Sequence, residues 1–421
     1  MPAASSSPHR PGGTGLLAGI TVLDFSTVGP AARCTHLLAD YGARVVKVGP
    51  VPSADASPIE PPFFAYSGHR GMRRVQFDLK DDEGREAFLS LATAADVVVE
   101  SFRPGVVDRL GIGYDAVSAR NPAIVYCSTS GYGQDGPHAQ WAGHDLDYLA
   151  VGGFLAMSTP GPDGAPPLPG ATIADAAAGG MQAALAITAA LAARNTSTSA
   201  SASTSTSTSA STSSSASTSK GRGCYLDVSV ADGVLWLMSL AIDEQLALGH
   251  HIHPGHDVLS GRYACYGTYR AADSKWVAVA AIEAKFFANL CAALGCPELA
   301  ASQLDDEAQP AIRAAFTTAF ATRTRDQWVE RLAGADTCVA PVLDVAEVVA
   351  DPQFAASGAV VTATHPAQGA FSQLAPLLAG MERGAAPDLP DPVATDTEHL
   401  LKEAGVDGET VARWVAKGVV A

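Results

Sequence analysis

Leu16–Val48 reads LLAGITVLDFSTVGPAARCTHLLADYGARVVKV. Within it Ile20–Phe25, ITVLDF, is a short apolar run with β-branched residues and predicts a strand. Pro30–Tyr41 carries apolar residues at helical spacing and stops at Gly42, so it predicts a helix. Ala43–Val48, ARVVKV, predicts a second strand. Further along, Asp81–Ala94 predicts a helix with acids in its first turn, which suits the helix dipole. Asp96–Glu100 (DVVVE), Ile124–Ser128 (IVYCS) and Tyr225–Ser229 (YLDVS) predict strands. An Ala-rich helix is expected from about Asp175 to Ala193, and another helical pattern runs to about Leu248. Strands alternating with helices specify an α/β chain with a parallel sheet and helices on both faces.

From about Ser260 the texture changes. Tyr263, Tyr266, Tyr269, Trp276 and Val277–Ala281 suggest strands, and Glu283–Leu294 and Gln327–Leu332 suggest helices. A second, smaller α+β domain is expected there. The expected division is a loose tail over 1–15 and the N-terminal part of a large Rossmann-like domain over 16–195. A Ser/Thr/Ala insertion over 196–219 and a strand with its connecting helix over 220–250 follow. The small domain then occupies 251–355, a linker 356–384, and a C-terminal return to the large domain 385–421. Thr196–Ser219 contains only Ser, Thr and Ala and cannot bury enough apolar surface to order itself.

The chain has 421 residues, 47% apolar and 17% charged, which is ample material for a core. Its net charge of −16 argues against nucleic acid and anionic membranes as partners, since both need a positive footprint. A local basic cluster still suffices for an anionic small molecule. The seven cysteines are scattered and odd in number, with no C-x-x-C, so neither a disulfide framework nor a zinc knuckle is expected. Buried thiols in a reducing cytoplasm are the simplest reading. Ala176–Ala193 approaches the length of a membrane span, but it is mostly Ala and lacks an aromatic belt, so a buried helix is expected.

Five stretches are candidate sites. Gly131–Gly136 fits G-x-G-x-x-G after a strand, yet Pro137 and a polar run follow where a dinucleotide site needs a helix, so a tight loop is the reading. His69, Arg70, Arg73, Arg74 and Lys80 form a basic cluster able to hold phosphates, or simply a solvated face. Arg103 follows the DVVVE strand, where α/β proteins bind ligands. His144, among acids in Gly143–Tyr148, reads as a general base, a metal ligand or a surface residue. Metal is the weakest of these, because no second His or Cys sits at ligand spacing. Asp175 stands at the start of the Ala-rich helix as a cap, a general base or a nucleophile. Glu283 lies at a strand-to-helix junction and matters only if it meets His144.

Taken together, Leu16–Val48, HRGMRRVQFDLK, SFRPGVVDRLGIGYD and NPAIVYCSTSGYGQDGP resemble the CaiB/BaiF group, the family III CoA-transferases. The resemblance covers about Leu16 to Glu347. Gly143-His144-Asp145 to Tyr148, the Asp175 segment and Ala281-Ile282-Glu283 look most like the branch that racemises 2-methylacyl-CoA thioesters. The resemblance implies a Rossmann-like large domain, a smaller domain and an interlocked homodimer. It implies His144 and Asp175 as the two acid/base residues, with Glu283 orienting and charge-tuning His144 across the dimer. It implies CoA contacts from Phe77, Asp78, Leu79 and Lys80, and from Gly143, Asp145 and Tyr148. Arg70, Arg73 and Arg103 join these as candidate CoA contacts. Gly49 stands where this branch carries a second charged residue, leaving Lys47 as the polar contact there, and Ser101 replaces the usual Asn. No metal and no cofactor is implied; CoA arrives with the substrate.

Inverting a carbon α to a thioester needs one group to remove a proton and another to return it, which a His and a carboxyl can do. Backbone N–H groups at the start of the Asp175 helix are expected to hold the enolate oxygen. The alternative is a CoA-transferase in which Asp175 attacks the thioester and carries CoA as an aspartyl thioester. Some transferases of this family carry a glycine run in the small domain. Val258–Tyr269 holds only Gly261 and Gly267, which favours the racemase.

Overall fold

The computed structural model describes residues 15–52, 61–203, 221–381, 389–391 and 393–421. The expected tail before residue 15, and the insertion from 204 to 219, lie outside the described residues. The chain divides into two compact units. One comprises residues 1–152, 169–238 and 356–421, the other 153–168 and 239–355.

The larger unit is built on a six-stranded parallel sheet of order β3-β2-β1-β4-β5-β6. Its strands are β1 (Thr21–Asp24), β2 (Arg44–Pro50), β3 (Arg73–Phe77), β4 (Val97–Glu100), β5 (Val125–Ser130) and β6 (Cys224–Ser229). This is the doubly wound Rossmann order, which places a ligand crevice at the carboxyl ends of β1 and β4, where the winding reverses. β3 was not expected: its residues read as a basic cluster, and only the alternation of Val75 and Phe77, both buried, marks a strand. Helices α1 (Gly29–Asp40), α2 (Asp82–Ala92), α3 (Val106–Arg109), α4 (Tyr114–Arg120) and α5 (Asp145–Val151) follow their strands. Asp81 caps α2 by accepting from the Glu83 N–H, as its acidic start foretold.

The Ala-rich segment begins as a π-helical stretch, Ala174–Met181, and continues as α7 (Gln182–Ser203). The helix therefore enters the Ser/Thr/Ala run that was expected not to order itself. Ala174–Asn195 is long and apolar enough to cross a membrane, with mean hydropathy 1.5. In the fold, Ala183, Ile187 and Leu191 are buried in a core with Val22, Val97, Val125 and Cys127. Helix α8 (Val230–Leu237) follows β6.

Two corrections concern the C-terminal third. The stretch expected as a linker, 356–384, contains an antiparallel hairpin of β10 (Val360–His365) and β11 (Gly369–Leu374). Its three-residue loop, Pro366 to Gln368, leads into Gly369, the first residue of β11, which takes the left-handed φ of +74°. The return to the larger unit therefore begins at 356 and not at 385. It ends in α15 (Thr397–Glu403) and α16 (Gly408–Lys417), whose Leu400, Leu401, Val411 and Trp414 pack into one core with Val75, Phe77 and Phe88.

The smaller unit is α+β, with α6 (Phe154–Met157), α9 (Ser239–Leu248) and an antiparallel sheet of β7 (Tyr266–Arg270), β8 (Trp276–Ala280) and β9 (Val339–Pro341). It starts earlier than the expected 251 and takes in 153–168 as well. Helices α10 (Ala284–Leu294), α11 (Gln309–Phe320), α12 (Arg325–Leu332), α13 (Val345–Ala350) and the start of α14 (Pro352–Ala356) complete it. Phe287, Phe316, Phe320 and Trp328 fill its core with Val277 and Val279.

Candidate active site

His144 is the N-cap residue of α5; its backbone N–H donates to Asp147 Oδ2 at 2.9 Å while its imidazole stays exposed. Tyr148, one turn on, donates its hydroxyl to the Gly143 carbonyl at 2.6 Å. Its ring occupies the space a side chain at Gly131 would need, 2.4 Å from that ideal Cβ. The Gly131 loop after β5 and the Gly143–His144 turn are thus locked on one aromatic ring. The G-x-G-x-x-G stretch is, as read, a loop: the next helix starts only at Asp145.

Asp175 lies in the first turn of the π-helical stretch, half-buried. Its backbone N–H donates to Asp145 Oδ1 at 2.7 Å, which ties the two helix starts together. Burial raises the Asp175 carboxyl to about 6, and the Asp145 charge adds to the rise. Arg33 and His144 oppose it. His144 and Asp175 are therefore in one electrostatic neighbourhood, although 31 positions separate them in sequence (175 − 144).

The π-helical stretch can sit there because it is made of small residues. An ideal Cβ on Gly179 would stand 2.5 Å from Pro30 Cβ, and one on Gly180 would stand 2.6 Å from Arg33 Cβ. The stretch is pressed onto the start of α1, a backbone approach open only to glycine. π-helical turns are uncommon and gather at functional sites.

Of the backbone donors expected at the start of the Asp175 helix, the Ile173 and Ala174 amides have no acceptor among the described residues. The Asp175 N–H is spent on Asp145, and the Ala176 N–H on the Thr172 carbonyl. In α5 the Asp147 and Tyr148 amides return to the His144 carbonyl. The Asp145 and Leu146 amides have no acceptor among the described residues.

The expected CoA contacts divide. Arg70 is withdrawn from any ligand: it is 3% exposed and makes a forked ion pair with Asp40, at 2.9 Å to each carboxylate oxygen. Its remaining donors go to Gln373 and the Leu374 carbonyl, which pins the β10–β11 hairpin. Phe77 is buried in the core and its side chain offers no ligand contact, while Leu79 is half-buried against the same core. Asp78 accepts from the Lys80 N–H at 3.1 Å. Lys80 and Arg103 are exposed, and Arg73 lies half-exposed, 3.9 Å from Asp396. Lys47 is paired with fully buried Asp24 at 2.7 Å and also donates to the Ser26 carbonyl. Glu283, in the other unit, is the exposed N-cap residue of α10.

Sequence reading missed two groups here. Glu100 is 2% exposed at the carboxyl end of β4, accepts from the Phe102 N–H at 2.7 Å, and is pushed up to about 7 by burial. An acid closing an all-valine strand was the available signal. Arg33 was the other, a lone cation in the apolar start of α1. Among the described residues, no group of three or more His, Cys, Asp or Glu side chains is placed to hold a metal ion.

The fold and these side chains define an α/β protein with a doubly wound sheet and a raised carboxyl, Asp175, that feels the charge of His144. The CoA-transferase family III profile matches residues 17–216 and 199–394. The chain is 32% identical over 400 residues to an alpha-methylacyl-CoA racemase of Homo sapiens, covering 94% of this chain and 95% of that one. It is 30% identical over 371 residues to an acetyl-CoA:oxalate CoA-transferase of Acetobacter aceti, covering 85% and 87%. A crystal structure of a CaiB/BaiF family protein from Brucella suis superposes with TM-score 0.70 at 27% identity, covering 94% of this chain and all of that one. The chain belongs to CoA-transferase family III, whose members here include both a racemase and a transferase.

Proposed function

We propose that this protein racemises 2-methylacyl-CoA thioesters by transferring the α-proton between two side chains, His144 and Asp175. The observation that carries the reading is the pairing of Asp175 with the α5 start that bears His144, with the carboxyl raised to about 6. A carboxyl so raised is a stronger base than an ordinary carboxylate and a usable acid near neutral pH. One of the pair removes the α-proton, leaving an enolate. The other, carrying a proton, returns one to the opposite face. Each ends a turnover in the protonation state the other had, which readies the pair for the reverse reaction; a second turnover in the same direction requires both groups to exchange protons with water. The free Asp145 and Leu146 amides at the positive end of α5 are the proposed donors to the enolate oxygen. CoA enters and leaves as part of the substrate, with Lys47, Lys80, Arg73 and Arg103 as its proposed polar contacts.

The proposed assembly is a homodimer in which Glu283 orients His144. Trp236 at 76%, Leu185 at 70% and Leu235 at 47% exposure leave apolar surface on the larger unit that a second copy would cover. No role for nucleic acid, membrane or metal is proposed, and the proposed compartment is the cytoplasm.

The test is incubation of (2R)- or (2S)-2-methylacyl-CoA with the enzyme in D2O. Gain of one deuterium at the α-carbon with appearance of the other epimer is expected. Asp175→Asn and His144→Ala should each lower that exchange by about 1,000-fold or more. Full CoA transfer to a free carboxylic acid, lost in Asp175→Asn but kept in His144→Ala and without α-exchange, would replace the reading with the aspartyl-CoA transferase.

A further inference from the structure

Arg33 is the fifth residue of α1, after the uncharged start Gly29-Pro-Ala-Ala, and its guanidinium is exposed. It makes no ion pair within 4 Å among the described residues. Its one polar contact among the described residues is a long bond to Thr172 Oγ1 at 3.4 Å. Thr172 is three residues before Asp175, and the Arg33 charge is felt at the Asp175 carboxyl. The guanidinium thus stands beside the reacting carboxyl with most of its donors unused.

The fold takes trouble to hold it there. Arg33 lies over the Tyr66 ring, with its central carbon 4.8 Å from the ring centroid. Tyr66 accepts from the Gly29 N–H at 2.9 Å. Tyr66 and Ser67 sit at φ 49° and 50°, and His69 at 55°, a left-handed run that is strained for non-glycine residues. Strain of that kind persists where the surrounding structure requires it, and here its product is a shelf for one cation. Helix α1 also starts without a capping side chain and without an acid in its first turn. A residue this early in a helix leans back toward the N-terminus, so Arg33 adds its charge to the positive end of α1.

We propose that Arg33 is the anchor for a carboxylate carried by the acyl group, so that the preferred substrates are acyl-CoA thioesters of dicarboxylic acids. A planar guanidinium with free donors matches a carboxylate in a forked pair. Asp145 and Asp175 would both repel a substrate carboxylate brought near them, and the Arg33 guanidinium offsets that repulsion. The inference rests on the proposal that Asp175 faces the acyl group; it names the class of acyl group.

The test uses a ladder of 2-methyl dicarboxylic acyl-CoAs, from methylsuccinyl to methyladipyl, each beside the neutral 2-methylacyl-CoA of equal length. Wild type, Arg33→Gln and Arg33→Lys are compared. Arg33→Gln should raise KM for the best dicarboxylic substrate by about 30-fold or more, with KM for its neutral partner changed by less than about threefold. Arg33→Lys should recover part of the difference, since it keeps the charge and loses the fork. Any shift of Asp175 basicity would alter kcat for both substrates alike and so leave the KM ratio unmoved. Calorimetric Kd values for free CoA and for both acyl-CoAs are measured in parallel. If no substrate shows exchange or CoA transfer, the proposed reaction fails, and the Kd ratio still decides the carboxylate site. Equal weakening of free CoA and the dicarboxylic ligand would assign Arg33 to the CoA moiety and overturn the proposal. Equal effects on neutral and dicarboxylic ligands would overturn it too.

Discussion

Asp145 shapes Asp175 in two ways: it accepts the Asp175 N–H at 2.7 Å, and its charge helps hold the carboxyl up near 6. The two effects separate in Asp145→Asn, because an amide oxygen still accepts that hydrogen bond while the charge is gone. Removing a neighbouring negative charge favours the ionised form, so the Asp175 pKa moves down. As a base Asp175 works ionised, and its rate is lost as pH falls through its pKa. The acid limb of kcat/KM for the direction that uses Asp175 as base is therefore expected near pH 6 in the wild type and lower in Asp145→Asn. A limb that stays put, or rises, would mean that another group sets it. At this scale the sequence marked His144, Asp175 and Glu283 by type and motif. It did not show that Arg70 is consumed by Asp40 and the hairpin, since 303 positions separate Arg70 from Gln373 (373 − 70). Nor did it show Arg33 beside Asp175.

Among elements, the joint between the π-helical stretch and α1 carries the most chemistry. Gly180 backs onto Arg33 and stands five residues after Asp175. Gly180→Val puts branched carbon where no side chain fits, so the stretch must move off α1. A loss of about 1–3 kcal/mol of stability is expected, read as a lower denaturant midpoint. Exchange activity should fall by more than the folded fraction does, because Asp175 and Arg33 shift together. A variant that keeps full activity at reduced stability would show that the joint is packing alone. The strands and helices around it were mostly legible, since buried parallel strands are unbroken valine-rich runs. β3 and the 360–374 hairpin were not. β3 opens on two adjacent arginines and shows its period only in Val75 and Phe77, and the hairpin turns through Pro366 to Gln368 without an Asn-Gly or Asp-Gly pair.

For the molecule as a whole, the proposed homodimer predicts that light scattering on a sizing column returns twice the chain mass. Trp236→Asp should shift it toward one chain and lower exchange activity with it, because Glu283 would no longer reach a partner's His144. A fully active monomer would remove Glu283 from the mechanism. Deleting residues 204–219 should leave exchange intact, since that run supplies no candidate site residue.

Much of this protein is settled locally. Apolar runs of β-branched residues, helical spacing closed by Gly42, and acids at helix starts act within a few residues of one another. Together they determine an alternating α/β chain, and the motifs bearing His144 and Asp175 come with it. The order of the strands, the burial that raises Asp175 and Glu100, the loss of Arg70 to an internal ion pair and the free cation at Arg33 belong to tertiary structure. Each depends on which distant side chain shares a low-dielectric site, and desolvation and Coulomb energy are set by distance in space, which no local pattern records.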